Sequence, residues 1–262
     1  MPVKKDETGK HWVEMHFTVP GTPEQVWQAL ATGPGYTAWF SQASIEERVG
    51  GALQFQFGPE VISSGEVTRW EPPRFFSYVE RDWSEGAPPL ATEITITSRS
   101  GGQCVVRMVH SLFSSNDDWD DQMEGFERGW VGFIEVLRLY LGHYSGNKAA
   151  SFQVMHSVQT DQLGAWSKLM DRLGLGRAHV GERWEISHPE KLSGVVERIQ
   201  QDRKMRSVTL RLDSPAPGVA IIGAYDTDQG INTSVCTFYY GDGAEAQVAA
   251  SQPKWLQWIQ EA

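Results

Sequence analysis

One stretch of the chain, residues 117–143, sets the terms for everything before it. Trp119, Met123, Phe126, Trp130, Phe133, Ile134, Leu137 and Leu141 recur three and four residues apart. That spacing lays them along one face of a long helix. An apolar face of such length must be buried, and a sheet with one apolar face is the partner that can cover it. Asp117, Asp118, Asp120 and Asp121 crowd the helix start, where negative charge suits the positive end of the helix dipole. No glycine pattern of a calcium loop accompanies them, so capping and solvation explain them and no metal is expected.

The preceding residues supply the sheet. Residues 11–19 alternate as a strand, and Thr22-Pro23-Glu24-Gln25 then opens a helix with a capping box and proline at its first position. Val26, Trp27 and Leu30 form its apolar face, and Gly33-Pro34-Gly35 is expected to end it. In 49–58, Leu53, Phe55 and Phe57 fall at period two. Residues 65–83 read as two strands separated by Pro72-Pro73, and 92–113 as a hairpin about Gly101-Gly102. The order is strand, helix, antiparallel strands, long helix. This predicts an α+β, helix-grip fold: a curved antiparallel sheet wrapped on a long C-terminal helix.

The pattern then begins again. SGNKAA (145–150) reads as a linker. A strand at 151–158 leads into a capped helix at 160–174 with Leu163, Trp166, Met170 and Leu173 on one face. Five strand-like runs follow, and a short helix is expected from Pro253. MHFTV and Trp27 correspond to MHSV and Trp166, VGGALQF (49–55) to VGERWEI (180–186), and SGEVTRW (64–70) to SGVVERI (193–199). Cys104 and Cys236 stand at nearly the same offset. Weak matches kept in order indicate a tandem repeat. The expected domains are 1–146 and 151–262, the second a degenerate copy with its own cavity in doubt.

Residues 19–40, with Pro-x-x-x-Val-Trp on the first helix and then Trp39-Phe40, resemble the opening of domains like the activator of heat-shock-protein-90 ATPase homologue. These form a branch of the SRPBCC (START-like) superfamily. Val49-Gly50-Gly51, SGEV (64–67), WEPPRFFSYV (70–79) and the helix carrying Gly125 and Trp130 continue the likeness in order, over roughly 11–143. The second half lacks a counterpart of Trp39-Phe40 and has one glycine where the family has two. The resemblance implies a cavity between sheet and closing helix. It is shared by lipid carriers, hormone receptors, aromatase/cyclases and co-chaperone domains, so fold alone does not choose a function.

Composition narrows the choice. A net charge of −10 disfavours phosphate backbones and anionic membranes, so neither nucleic acid nor membrane is an expected partner. The two distant cysteines form neither a zinc site nor a disulfide framework and read as buried thiols of a cytoplasmic protein. The N-terminus lacks a signal peptide and no run is long enough to span a bilayer. No phosphate loop, nucleophile elbow or metal motif is present, and no cofactor is expected.

The candidate cavity residues are Trp39, Phe40, Phe55, Phe57, Phe76, Tyr78, Trp83, Met108, His110, Trp119, Met123, Phe126 and Trp130. Such a wall suits a small hydrophobic or aromatic ligand, and ligand binding is the first reading. A cyclase/aromatase-like or hydrolytic enzyme using the same cavity is the second. Tyr78, Glu80, Arg81, His110 and Glu127 are the best offers for proton transfer, though none is assigned as catalytic. His110 alone reads more simply as a satisfied core or edge histidine. A co-chaperone-like interaction module with a chaperone partner is the third reading. Tandem units of this kind are also compatible with a homodimer.

Overall fold

A computed structural model describes residues 3–57, 61–81, 83–114, 116–202, 205–227 and 230–261, with the side chains of 126–128 outside the description. The chain divides into two compact units, Met1–Gly146 and Asn147–Ala262.

The first unit comprises β1 (Lys4–Lys5), β2 (Lys10–Pro20), α1 (Pro23–Ala31), α2 (Gly33–Thr37), β3 (Gln42–Ile45), β4 (Ala52–Gln56), β5 (Ile62–Glu71), β6 (Phe75–Glu80), β7 (Leu90–Arg99), β8 (Gln103–Phe113) and α3 (Asp120–Leu139), closed by a π-helical turn at Tyr140–Tyr144. Its antiparallel sheet has the order β1-β2-β8-β7-β6-β5-β4-β3. Period-two burial along β2 sends Val13, Met15, Phe17 and Val19 inward. The Thr22–Gln25 capping box forms as the sequence predicts. As expected, α1 ends before Gly33-Pro34-Gly35. That segment opens a second short helix, which Thr32 caps by accepting from the Gly35 N–H.

The second unit comprises β9 (Ala149–Val158), α4 (Gln162–Arg172), β10 (Arg183–Ile186), β11 (Leu192–Gln201), β12 (Met205–Ser214), β13 (Gly218–Thr227), β14 (Gly230–Tyr240) and α5 (Ala244–Gln260). Its sheet order, β10-β11-β12-β13-β14-β9, repeats that of the first unit with the counterparts of β1 and β3 missing. The repeat extends to individual hydrogen bonds. Gly50 N–H donates to the Val67 carbonyl and Val67 N–H to Gly51. Gly181 N–H donates to the Val196 carbonyl and Val196 N–H to Glu182. An irregularity in pairing follows each valine, before Arg69 and before Arg198. Gly65 and Gly194 occupy matching positions. A Cβ there would lie 2.5 Å from the Val79 carbonyl oxygen or 2.1 Å from that of Arg211. Close approach of neighbouring backbone explains why the Ser-Gly pair recurs.

Three details correct the sequence reading of this half. Cys104 lies opposite Val19 near the start of β8, whereas Cys236 lies opposite Gln153 in the middle of β14. The two cysteines are therefore not equivalent, and their similar offset is coincidental. The closing helix starts nine residues before Pro253, because Ala244, Ala246, Ala249 and Ala250 favour helix. Leu163 is exposed, and Ala165, Trp166, Leu169 and Met170 form the buried face of α4. No helix among the described residues is long and apolar enough to cross a membrane.

Candidate functional site

In the first unit, sheet and α3 part at one end to leave a cavity of about 300 Å³. Its lining comes consistently from that end of each element. Phe55 lies near the end of β4 and Phe57 just beyond it, Ile62 and Ser63 open β5, and Tyr78 and Glu80 close β6. Leu90 opens β7, His110 lies late in β8, and Gly125, Gly129, Trp130 and Phe133 lie along α3. Phe40, Val61 and Trp83 come from connecting segments. Antiparallel pairing brings these late and early positions to the same edge of the unit.

The opposite end is filled. Trp27 of α1 meets Trp70 edge-on with ring centroids 4.9 Å apart, and Phe76 packs against both. Phe76 and Met108 face the correct side of the sheet but are fully buried at this packed end and take no part in the cavity wall. Trp39 is likewise fully buried. Its indole N–H donates to the Ala29 carbonyl at 2.9 Å, and its ring supports Trp130 from behind the wall. Met123 joins Val13 and Leu112 in a separate small core on which Trp83 and Trp119 pack. Of the thirteen candidates, Phe40, Phe55, Phe57, Tyr78, Trp83, His110 and Trp130 line the cavity. Phe126 lies outside the described side chains.

The wall is a continuous aromatic surface. Phe40 stacks on Trp130 at 4.6 Å and meets Phe133 edge-on at 5.0 Å and Phe57 at 5.5 Å. Phe55 and Tyr78 extend it across the sheet, 5.7 Å apart. Edge-on and offset contacts of this kind let rings attract beyond their buried area. Phe57, Val61 and Ile62 are exposed apolar residues at the rim. Gly125 and Gly129, one helical turn apart, present bare backbone to the cavity; among the described residues nothing lies within 4 Å of a Cβ built on either.

Ser63, Tyr78, Glu80 and His110 are the polar side chains among the described lining residues. Tyr78, Thr92 and His110 stand in register across β6, β7 and β8. Thr92 Oγ1 and His110 Nδ1 are 2.9 Å apart, and the His110 ring lies against Trp130. Burial holds the imidazole down at about 4, so it is neutral at physiological pH. Two residues beyond Tyr78 on the same face, Glu80 is buried, and Ser63 donates to its Oε1 at 2.5 Å. Burial raises the Glu80 carboxyl above its ordinary value, partly opposed by the Ser63 bond. Burial, then Tyr36 and Glu80 nearby, push the Tyr78 phenol well up. Of the other proton-transfer candidates, Arg81 is exposed, and the side chain of Glu127 lies outside the description.

Sequence reasoning missed Val61, Ile62, Ser63, Leu90, Gly125, Gly129 and Phe133 as lining residues. The glycine pair carried a usable signal, since two glycines in one helix weaken it unless space is needed beside the backbone. A second group outside the cavity gathers donors. His11 Nδ1 lies 2.7 Å from Asp120, and the Lys5 ammonium lies 2.6 Å from both Asp117 and Asp120. These aspartates thus fasten the N-terminal strand to the start of α3, a more specific duty than the capping expected of them.

An antiparallel sheet closed by one long helix over an apolar cavity defines a helix-grip, START-like (SRPBCC) domain. Residues 20–142 match the model of the family described as Activator of Hsp90 ATPase homolog 1-like protein. Among solved structures, protein MLL2253 of Mesorhizobium loti is 22% identical, with 51% of this chain and 98% of that one covered and a TM-score of 0.47. DynU16, from the dynemicin biosynthetic locus, is 17% identical over 86% of each chain, with a TM-score of 0.45. The Aha1 dimer of Colwellia psychrerythraea is 20% identical over 52% of this chain and 98% of that one, with a TM-score of 0.42. At these values the likenesses carry nothing about activity. None of the curated proteins matches the chain.

Proposed function

We propose that the first unit binds a small, largely apolar, ring-bearing molecule in the cavity between its sheet and α3. The observation that carries this reading is the cavity itself: about 300 Å³, walled by contiguous aromatic rings and open at an apolar rim. Ligand sites are typically concave, mostly apolar and supplied with a few polar groups that fix orientation. Ser63, Tyr78, Glu80 and His110 are those groups here.

A second reading rests on a specific observation. Tyr78, Glu80 and His110 all line the same cavity, and burial raises the proton affinity of the acid while lowering that of the imidazole. That combination suits redox-neutral proton transfer on a bound substrate, as a cyclase-like activity requires. In either reading the second unit is a degenerate copy with a supporting role. A hollow of about 170 Å³ in it lies beside α4 between residues such as Trp166, Asp171 and Gln201.

Native mass spectrometry of the purified protein, before and after denaturing extraction, tests the binding reading. The expected result is a co-purified apolar or aromatic compound that Trp130→Ala no longer retains. No retained compound, together with no thermal shift across a library of aromatics and lipids, would overturn it and favour a protein-interaction role.

A further inference from the structure

We propose that the ligand of this cavity carries a basic amine, whose ammonium group pairs with the Glu80 carboxylate while the surrounding aromatic rings hold the body of the molecule. This rests on the binding reading above and names the ligand's chemical class.

Among the described lining residues the charge is one-sided. Glu80 is the one acid among them, and they include no lysine or arginine. His110, neutral through burial, supplies no cation. Ser63 is the hydrogen-bond partner of the Glu80 carboxyl among the described residues, and it satisfies a single oxygen. A hydroxyl offsets only part of the cost of taking a carboxylate out of water. The remaining oxygen calls for a proton or a cation, and an ammonium entering the cavity would supply the cation.

The rest of the wall suits the same guest. Phe40, Phe55, Phe57, Tyr78 and Trp130 surround the space with π systems, whose negative faces attract ammonium groups most strongly when desolvated. The net charge of −10 raises the local concentration of cations over anions. A carboxylate or phosphate ligand would meet Glu80 with no compensating base among the described lining residues. Fatty acids and phospholipid head groups are therefore poor fits despite the apolar walls. A neutral alcohol or ketone gains burial and one hydrogen bond, but leaves the carboxyl to keep its proton.

Isothermal titration calorimetry with three near-isosteric probes at pH 7 separates these cases: 2-(1-naphthyl)ethylamine, 2-(1-naphthyl)ethanol and 1-naphthylacetate. The amine is expected to bind at least about ten-fold more tightly than the alcohol, as a charge-assisted hydrogen bond implies, with the acetate weakest. Glu80→Gln should bring the amine to the level of the alcohol. Ser63→Ala, which removes the competing partner and keeps the acid, should maintain or widen the preference and serves if Glu80→Gln does not fold. Alcohol binding without an amine preference, or a preference that survives Glu80→Gln or vanishes in Ser63→Ala, overturns the amine proposal alone. Failure of all three probes to bind overturns the cavity reading with it.

Discussion

The imidazole of His110 lies parallel to the indole of Trp130, with ring centroids 5.6 Å apart and planes 9° from parallel. A strand of the sheet and the closing helix therefore meet ring on ring at the cavity wall. This contact buries His110 to 3% exposure, and that burial has a measurable consequence.

The unfolded chain protonates His110 near 6.5, whereas the folded protein resists protonation until about 4. Between these values the unfolded state binds more protons, so stability falls as pH drops from 6.5 towards 4 and this group adds no further loss below. From pH 7.5 to pH 5 the expected cost is about 2 kcal/mol. Urea unfolding at the two pH values should show that difference in the wild type and a much smaller one in His110→Gln. An equal acid loss in both proteins would remove His110 as its source.

The repeat makes a paired prediction. Gly65→Ala and Gly194→Ala each drive a Cβ into a neighbouring carbonyl oxygen, which the backbone must move to accommodate. Each should destabilise its unit by about 2–3 kcal/mol, like other overpacking changes. Chemical denaturation monitored by circular dichroism measures both. A neutral outcome at either position would show that the shared Ser-Gly pair is not held by close packing.

Gly129→Ala should have the opposite sign. Its Cβ meets open space among the described residues, so the substitution removes the entropic handicap of glycine in α3. A gain of up to about 1 kcal/mol is expected, read as a raised melting temperature. Destabilisation would mean that the helix backbone is already in contact at this point.

In the second unit, Glu190 accepts from Trp255 Nε1 at 2.8 Å and Ser251 Oγ at 3.0 Å, with Lys254 Nζ at 3.4 Å. Glu190→Ala orphans buried donors and should cost about 3 kcal/mol. Glu190→Gln, which keeps an acceptor, should cost less. Equal losses by equilibrium unfolding would argue that packing, and not hydrogen bonding, seats α5.

The sequence showed faces more readily than depth. Period two placed Phe55, Phe76, Tyr78, Met108 and His110 on the inner side of their strands, and all five are buried there. It could not show that Trp27 and Trp70 fill one end around Phe76 while the other end stays open at Tyr78 and Glu80. That depends on how α1 sits over the sheet. The close contacts at Gly65 and Gly194 were legible because only a residue without a side chain tolerates such approach, and their spacing recurs. The register that separates Cys104 from Cys236 was not, because strand pairing depends on long-range partners. Helix starts without a side-chain cap, as at α5, leave little local signal.

The pinned helix of the second unit gives the chain an internal reference. Trp255 and Trp258 lie buried in one hydrophobic core with Phe152 and Tyr239, in a unit that repeats the strand order of its neighbour. Any compound that acts through the N-terminal cavity should protect amides of α3 and its facing strands from hydrogen exchange while leaving those of α5 unchanged. The repeat thus places two versions of one architecture in a single polypeptide, so that a ligand response in the first can be read against the second in the same sample.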